Sequence, residues 1–587
     1  MTTTAETFIA DLDGELAATV GVDGAVRLVD RDWVLDWMVA TEAGWRSATD
    51  AGTGAPRQLL VDQAPVVQTS LRLDGGQLVH RAFVAADRDG IPTVVVEVRN
   101  DSPHAVGMAF VLRPAAADQS LPPVEWVSDG AGETIVRIDG RAVAVLPDPA
   151  EVVTGAGDDA LIRALVAGSG GGAAAGGAAA GPEVSRVALV RPLPHTLTTR
   201  ISLSPVTGVS PTRVADGEAV ARGWARHTRG GCRVELPEPV LRDLVAASRA
   251  QVLLAVRADR DDIGVGRAVT DARLAEALRA MGQGRLAAGL GARWLTHLGA
   301  KGLVEDGSGD AVAATGAALA ILGGAARDLE PGEIEEWLPE VSGMLVGLDK
   351  SERRASTAGT PWDRWWADAG RRGAIAVLRS VGQDRAAAEV AVRRSQDRGA
   401  EAASGSEVLL GALDERGAAA PSWRRLLAAR AAIARGRWPE DDLRWLLSAT
   451  DLTGVMPLGV DDHLVAAEVV SLWQDLGATE CSDGTIMLLP AVRSRWLGHP
   501  LEAHDVAIGS GSVGFAIRWH GERPALLWES RGVEGRTLTC PGLDPSWSST
   551  EERGDALLAA PSSVPVESAI EPPAPPDADG ESGGSLS

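Results

Sequence analysis

The sequence predicts an α+β multidomain protein in which strands come first, helices second and strands again at the end. From residue 8 to about residue 203, apolar and polar residues alternate in short runs broken by Asp-Gly and Gly-Gly pairs, which is typical of antiparallel strands. From residue 237 the apolar spacing changes to three and four, as in amphipathic helices, and after residue 477 the alternation returns. These patterns predict an N-terminal β-sandwich, a central (α/α)6 toroid of helical hairpins and a small C-terminal β-domain. A stacked solenoid is the alternative for the hairpins, although no fixed repeat period is visible in the sequence.

The sandwich is expected over residues 1–230, with a flexible loop at 155–182, because SGGGAAAGGAAAG cannot bury enough apolar surface to offset its ordering entropy. The toroid is expected over residues 237–477, where about eleven helical patterns follow one another with short links. The C-terminal β-domain is expected over residues 478–560. Residues 561–587 are rich in proline, glycine and acids, which predicts a disordered tail.

Charge and apolar content exclude several classes of partner. The chain has 587 residues and a formal net charge of −24, which argues against nucleic acid and anionic membranes, since both require a basic surface. It contains no run of about 20 apolar residues and no basic segment followed by an apolar one at its start. We therefore expect neither a membrane helix nor a secretory signal, and a cytoplasmic location.

The cysteines and the short motifs predict neither a disulfide nor a cofactor. Cys232, Cys481 and Cys540 lie far apart and lack metal-ligand spacing, which fits a reducing compartment without a zinc site. No phosphate-binding loop, dinucleotide fingerprint or nucleophile elbow occurs in the sequence.

The stretch 361–372, PWDRWWADAGRR, combines three tryptophans and two carboxylates at the start of a helical pattern. The chain has no tyrosine and only four phenylalanines, so a flat surface for a sugar ring has to come from tryptophan. Trp362, Trp365 and Trp366, with Asp363 beside them, are therefore candidate sugar-binding residues. Their i, i+3, i+4 spacing equally predicts a stripe that faces the helical core, and both interpretations stay open.

Asp368, in the same stretch, is the candidate general acid. Hydrolysis of a glycosidic bond requires a protonated carboxyl group and an ionised carboxylate in one cleft. The neighbouring indoles would disfavour the ionised form of Asp368, as a general acid requires. The alternative is an ordinary helix ion pair with Arg364, Arg371 or Arg372.

Candidate bases lie just before and within the last helical pattern of the toroid. Asp461 and Asp462 precede that helix, and Glu468 projects from nearly the same helix face as Asp461. His463 could orient either carboxylate. A simple N-cap is the alternative for Asp461, because aspartate accepts the free amide hydrogens of a first turn, whereas the apolar neighbours of Glu468 favour a buried functional carboxylate.

Several stretches resemble a known superfamily. The motif LLPAVRSRWLG at 488–498 and the following FAIRWHGERPALLWE lead into C-terminal strands, and PTVVVEVRNDSP with MAFVLRP stands in the N-terminal part. Together with the order of domains, they resemble the six-hairpin glycosidases, which include glycogen-debranching-like proteins. The resemblance implies a pocket at the toroid mouth, an oligosaccharide or polysaccharide partner, often glucan-like, and an inverting acid and base that face each other across the wide end.

The loops of the toroid depart from that superfamily. Its members often carry an aromatic-Arg-Asp stretch after the first toroid helix, whereas residues 261–271 contain no aromatic residue here. The resemblance makes Arg267 and Asp271 candidate substrate-binding residues, with Asp271 at the acidic position. The loop 305–310, EDGSGD, also lacks the aromatic that such loops bring to a sugar. A catalytically inactive saccharide-binding or scaffolding relative and a helical interaction module therefore stay open beside the enzyme.

Overall fold

The computed structural model describes residues 6–12, 16–29, 31–42, 44–48, 56–73, 75–116, 119–128, 132–147, 150–167, 176–179, 185–204, 209–258, 267–354, 360–397, 421–449, 463–481, 484–509, 511–533 and 535–561. Within these residues the elements follow the predicted order of strands, helices and strands. The predicted α+β multidomain class is therefore confirmed, while the predicted tail falls almost wholly outside the described residues.

The N-terminal part is a sandwich of two antiparallel sheets. One sheet has the order β1-β2-β3-β4-β10-β16-β14 with β5 beside β4, and the other has the order β15-β11-β12-β13-β17-β9-β8-β7-β6. Apolar side chains from both sheets share one core, in which Trp37 stacks on His80 at 5.2 Å between ring centroids. Strands β1 to β17 span Thr7–Ala10, Ala17–Val20, Val26–Leu28, Trp33–Thr41, Gly44–Ser47, Arg57–Leu60, Val67–Leu73, Gly76–Ala86, Pro92–Asn100, Val106–Pro114, Val124–Ser128, Thr134–Ile138, Arg141–Leu146, Glu151–Gly155, Gly176–Ala179, Arg186–Leu193 and Thr198–Leu203.

The segment predicted to be a loop at 155–182 contains helix α1, Asp158–Ala167. Leu161 and Leu165 lie one turn apart on this helix and are buried against the first sheet. The helix forms because this apolar spacing and the two aspartates of its first turn precede the Gly/Ala run. This part of the segment is helical rather than a loop.

The middle of the chain forms the toroid of paired helices. Inner helices α4, α6 and α9 contact one another in that order, and α11 and α13 continue the ring back to α4. No helix within the described ranges is long and apolar enough to cross a bilayer. Helices α2 to α13 span Gly217–Thr228, Pro239–Ala258, Arg267–Ala280, Gly284–Leu295, Ala311–Ala325, Pro331–Glu335, Leu338–Arg354, Pro361–Ser380, Asp384–Asp397, Pro421–Ala434, Glu440–Ala449 and His463–Gly477.

Helices α6 and α9 are in backbone contact. A Cβ atom placed on Gly316 would lie 2.1 Å from the carbonyl oxygen of Trp366, and one placed on Gly323 would lie 2.1 Å from the Cα atom of Gly373. No real Cβ atom tolerates such distances, so only glycine permits this approach. The two helices run parallel, because both residue numbers increase along the contact.

The C-terminal β-domain consists of a five-stranded and a four-stranded sheet. The orders are β18-β21-β22-β23-β26 and β19-β20-β24-β25. Its edge strand β18 precedes the toroid in sequence and pairs with β21 in the register of Arg233 opposite His504. Strands β18 to β26 span Arg233–Glu235, Ala478–Glu480, Ile486–Leu488, Leu501–Ile508, Gly511–His520, Arg523–Arg531, Leu538–Cys540, Asp544–Ser549 and Arg553–Leu557.

The motif at 488–498 attaches this domain to the toroid. Trp496 is fully buried, and its Nε1 donates a 2.8 Å hydrogen bond to Glu238, the residue before α3. Arg495 donates to the same carboxylate at 3.0 Å, and Arg493 at 3.4 Å. The residues that carry the family resemblance thus have a structural role at the interface between domains.

We expect Gly316→Ala to lower the free energy of unfolding by about 1–3 kcal/mol, the usual cost of overpacking a core. The new methyl group would force α6 away from α9. Chemical denaturation measures the change. Gly289→Ala is the matched control: Gly289 lies in α5 with nothing within 4 Å of its Cβ position, so helix propensity should raise stability by about 0.4–1 kcal/mol. Equal effects of the two substitutions would contradict the close approach.

Candidate functional site

A cavity of about 200 Å³, the mouth cavity, lies where the first turns of five inner helices meet. The N-termini of α4, α6, α9, α11 and α13 all contribute to its wall. Unpaired backbone N–H groups at helix N-termini favour oxygen-rich or anionic groups nearby. The lining residues are Val269, Thr270, Asp306, Ser308, Asp310, Ala313, Ala314, Trp362, Trp423 and Leu464.

The polar wall of the mouth cavity comes from the loop before α6. Asp306 is 6% exposed, and its Oδ1 accepts a 3.0 Å hydrogen bond from the backbone N–H of Ser308. The Ser308 hydroxyl oxygen accepts a 3.1 Å bond from the backbone N–H of Asp310, which stands at the N-cap of α6. These local bonds hold two carboxylates and a hydroxyl group at one side of the cavity.

Two indoles form the apolar wall. Trp362 and Trp423 meet edge to face, with ring centroids 6.4 Å apart and an interplanar angle of 90°. Both side chains are largely buried, at 5% and 8% exposed. Trp362 therefore belongs to the core and to a cavity wall at once, which combines the two interpretations of its spacing.

The inner helices also surround a second cavity, the rear cavity, of about 330 Å³, which lies farther along the helices than the mouth cavity does. It lies between the toroid and the residues of β19 and β21 in the C-terminal domain. Trp365 and Trp366 line this rear cavity rather than the mouth cavity, and their ring centroids are 4.4 Å apart. The structure thus divides the three predicted sugar-binding tryptophans between two sites.

A buried ion network lies around Glu468, a residue of α13, the last helix of the toroid. The Glu468 carboxylate is fully buried and accepts bonds from Arg273 Nε at 2.5 Å and Nη2 at 2.9 Å. Arg430 Nη1 donates to it at 2.7 Å, and Trp423 Nε1 at 3.1 Å. With four donors and no exposed surface, the carboxylate has no contact with solvent or with a substrate in this geometry.

Arg430 connects this carboxylate to two further acids. Its Nε donates to Asp475 at 2.6 Å and its Nη2 to Glu276 at 2.7 Å. Burial alone would raise the pKa of Glu468, but the guanidinium groups of Arg273 and Arg430 outweigh it and lower this pKa to about 2. Burial raises the pKa of Asp475 even though Arg430 donates to it. Glu468 is therefore held ionised, as expected for a structural carboxylate.

Asp368 lines neither cavity and forms ion pairs with two arginines. Its carboxylate lies 2.6 Å from Arg394 Nε and 3.7 Å from Arg372 Nη1, the residue one turn ahead. The helix ion pair expected as the alternative is therefore present. Asp368 and Glu468 belong to different ion networks, and the structure brings them together in neither cavity.

The predicted substrate-binding acids make local structural contacts. Asp271 is fully buried, accepts a 2.9 Å bond from Trp294 Nε1 and pairs with Arg293, so it ties α4 to α5. Burial raises the pKa of Asp271 despite its arginine partners. Asp363 caps α9 through a capping box with Thr360, whose hydroxyl lies 2.8 Å from its carboxylate.

The remaining predicted residues lie at the ring's N-terminal side or outside the described ranges. Arg267 is the first residue of α4 and lies 3.5 Å from Asp271. His463 is the first residue of α13 and directly precedes Leu464 of the mouth cavity. The candidate bases Asp461 and Asp462 lie outside the described residues.

The sequence interpretation missed the polar residues of the mouth cavity. The loop EDGSGD lacks an aromatic residue, and only this absence entered the sequence interpretation. Its alternating acids and serine, which precede an alanine-rich helix, are the sequence pattern that indicates a polar cavity wall at Asp306, Ser308 and Asp310. Trp423 stands near the start of its helix, as Trp362 does, and this shared position was the signal for a second indole.

A sandwich followed by an inner ring of helices and a C-terminal β-domain defines the class of protein as one with a helical toroid between two β-domains. The crystal structure of a bacterial glucoamylase complexed with acarbose superposes with a TM-score of 0.50 and 8% identity, covering 79% of this chain and 93% of that chain. The resemblance to six-hairpin glycosidases is thus confirmed for the fold.

Two further solved structures are similar over most of the chain. A putative kojibiose phosphorylase from human microbiome has a TM-score of 0.40 and 8% identity, with 94% of this chain and 96% of that chain covered. A family GH92 alpha-mannosidase from Bacteroides thetaiotaomicron has a TM-score of 0.36 and 9% identity, with 81% and 85% covered. No protein-family model and no curated protein matches the sequence.

We expect Glu468→Gln to lower the free energy of unfolding by about 3–5 kcal/mol, because it leaves Arg273 and Arg430 buried without their shared carboxylate. Chemical denaturation at neutral pH measures the loss. The control is Glu389→Gln, which removes an exposed helix pair with Arg385 and should change stability only slightly. A Glu468→Gln protein as stable as the control would contradict the structural role of the network.

A comparison of the wild type with Glu468→Gln also tests the pKa of Glu468. Its folded value of about 2 lies below the ordinary 4.5, so its ionised form contributes stability above pH 4.5 that is lost as the pH falls toward 2. The difference in unfolding free energy between wild type and Glu468→Gln should therefore shrink over that range. Denaturation curves collected at several acidic pH values measure it, and a constant difference would contradict the lowered pKa.

Proposed function

We propose that this is a carbohydrate-active protein that binds the end of a glucan-like or other oligosaccharide in the mouth cavity. The observation that carries the proposal is the composition of that cavity, which is lined by Trp362 and Trp423 together with Asp306, Ser308 and Asp310. A sugar ring offers apolar C–H faces to an indole and hydroxyl groups to carboxylates, so it matches both walls. The N-termini of the inner helices add donors for hydroxyl oxygens.

The size of the mouth cavity supports a terminal sugar as the ligand. Its volume of about 200 Å³ lies below the roughly 300–1,000 Å³ of pockets that enclose drug-sized ligands. A single ring therefore matches the described space better than an enclosed chain does. The rest of the oligosaccharide would extend out of the cavity.

Glycoside hydrolysis is the second candidate function, because two carboxylates, Asp306 and Asp310, line the same cavity. Asp461 and Asp462 remain proposed bases, since they directly precede the helix whose Leu464 lines the mouth cavity. For Glu468 we propose a structural role, because four donors already occupy its carboxylate. An inactive saccharide-binding protein would keep the cavity without the reaction.

We also propose that the protein resides in a reducing compartment, such as the cytoplasm. Cys232, Cys481 and Cys540 are all free thiols. Burial raises the pKa of Cys232 and of Cys540 to about 12, so both thiols stay protonated and unreactive at neutral pH. Such thiols need no oxidising environment for folding.

Calorimetric titration with a panel of α- and β-linked oligosaccharides, together with an assay of released reducing sugar, tests the proposal. We expect Asp310→Asn to weaken binding by roughly tenfold or more, because a hydrogen bond to a charged group contributes about 1.5–3 kcal/mol. Asp368→Asn is the matched control, since Asp368 pairs with Arg394 and lines neither cavity. It should leave binding unchanged.

The outcomes separate the candidate functions. Binding with release of sugar would establish a hydrolase, and binding without release would establish a saccharide-binding protein. If Asp368→Asn abolished release while Asp310→Asn had no effect on binding, Asp368 would be the acid and the mouth cavity would lose its assignment. No binding of any oligosaccharide by the wild type would overturn the proposal.

A further inference from the structure

We propose that the rear cavity is a second ligand site, which binds a small organic anion, a carboxylate or a phosphate monoester of about monosaccharide size. The inference goes beyond the function proposed for the mouth cavity and does not rest on it. No described residue lines both cavities, so the two sites can be tested separately.

The cation that carries the proposal is Arg279, the last residue but one of α4. It is half-buried on the wall of the rear cavity and forms no ion pair within the described part of the chain. Its Nη2 donates to the carbonyl oxygen of Gly509 at 3.1 Å. Its Nη1 donates to no acceptor among the described residues and, unlike its Nε, is not enclosed by protein atoms. The outer N–H groups of this guanidinium can therefore reach a ligand in the cavity.

Two glycines determine where the Arg279 side chain lies. A Cβ atom on Gly324 would lie 2.6 Å from Arg279 Nη1 and 3.0 Å from its Cδ, so the absence of a side chain at 324 lets the guanidinium lie against α6. On its other side it is bonded to Gly509, the residue after β21. The positive charge is thus held at the cavity wall before a ligand arrives, which lowers the ordering cost of binding.

The carboxylates on the same wall already have arginine partners. Each lies 2.5–2.6 Å from one: Glu276 from Arg273, Asp475 from Arg430 and Glu480 from Arg536. Their charges are therefore used within these pairs and do not compensate Arg279. Burial, with Arg327 nearby, lowers the pKa of Arg279 to about 10, as expected for a positive charge that lacks a counterion. A bound anion supplies that counterion, whereas a neutral molecule does not.

A second cation, Arg372 of α9, lines the same cavity. Its Nη1 lies 3.7 Å from Asp368, a carboxylate that is bound more closely by Arg394, at 2.6 Å. A carboxylate or phosphate group has several acceptor oxygens, so it can accept charge-assisted hydrogen bonds from more than one guanidinium. The rear cavity thus offers an anion two arginines, of which Arg279 has no acid of its own.

The contact between α6 and α9 places these two arginines near each other. Gly373, the residue after Arg372, is in backbone contact with Gly323, the residue before Gly324. Arg279 lies against α6 at Gly324. Both side chains therefore reach the rear cavity close to the same helix contact.

Volume and access fit an anion on a carbon frame rather than a bare ion. The rear cavity, at about 330 Å³, falls within the range of roughly 300–1,000 Å³ for small-molecule sites. Trp365, Ile321 and Ala369 provide apolar wall for the carbon frame of such a ligand. The side chain of Arg372 is 42% exposed, so the cavity reaches solvent beside α9. A sugar acid or a sugar phosphate matches this combination of walls.

The test is calorimetric titration of the full chain with glucose 6-phosphate and D-glucuronate, with D-glucose as the neutral comparison. We expect one of the two anions to bind roughly tenfold or more tightly than D-glucose, and the tighter one identifies the charged group. Arg279→Gln should weaken this binding by roughly tenfold or more, because it removes a charge-assisted hydrogen bond. Arg285→Gln is the matched control: Arg285 pairs with Glu333 on the surface and lines neither cavity, so anion binding should not change.

A second variant moves the charge without removing it. Gly324→Ala places a methyl group against Arg279 Nη1 and should displace the guanidinium, which weakens anion binding even if Arg279→Gln fails to fold. Gly289→Ala, with open space at its Cβ position, is the control and should bind anions as the wild type does. Thermal unfolding checks that each variant is folded.

Several results would overturn the proposal. They are D-glucose binding as tight as that of both anions, no anion binding by the wild type, or equal anion affinity in the wild type and a folded Arg279→Gln or Gly324→Ala protein. A crystal soaked in the tighter anion, with the ligand in the mouth cavity and none at Arg279, would overturn it too. Anion binding that depends on Arg279 and is unchanged in Asp310→Asn would support the rear cavity even if no oligosaccharide bound to the mouth cavity.

Discussion

Two arginines and three carboxylates share the interior of the helical ring, and their pairing constrains everything around them. Arg273 and Arg430 reach Glu468 from two different helices, and Arg430 also holds Asp475 and Glu276. Charges in such a position are tolerated only when each finds its partners, so α4, α11 and α13 must keep their relative depth and rotation. The same side chains occupy space between the mouth cavity and the rear cavity.

The contact between α6 and α9 is held by shape rather than by charge. Between α6 and α9 the backbones touch at Gly316 and at Gly323, and the helices there are rich in alanine. Close contact brings many weak dispersion contacts but leaves no room for long side chains. The 68 glycines of the chain thus include positions that decide how closely α6 and α9 approach each other.

Local periodicity predicted the order and type of the elements well. Apolar residues two positions apart indicate a strand and those three and four apart indicate a helix, and both patterns depend only on neighbours in sequence. Site chemistry depends on residues far apart. Glu468 has apolar neighbours in sequence, yet its partners lie 195 and 38 residues away at Arg273 and Arg430. Asp368 follows two indoles, but Arg394, 26 residues later, pairs with it. For Trp362 and Trp366 one spacing served the core and a cavity wall alike, so the pattern left both interpretations open.

Strand β18 is an edge strand of the C-terminal domain, but it precedes the other strands of that domain by the whole length of the toroid in sequence. Arg233 to Glu235 pair with His504 to Glu502, so closure of this sheet spans the whole toroid. Contacts of such sequence separation form late, because the loop between them must first be ordered. During synthesis β18 has no partner strand until β21 has left the ribosome. This sheet can therefore form only after all the helices of the toroid, which lie between β18 and β21 in sequence, have been synthesised.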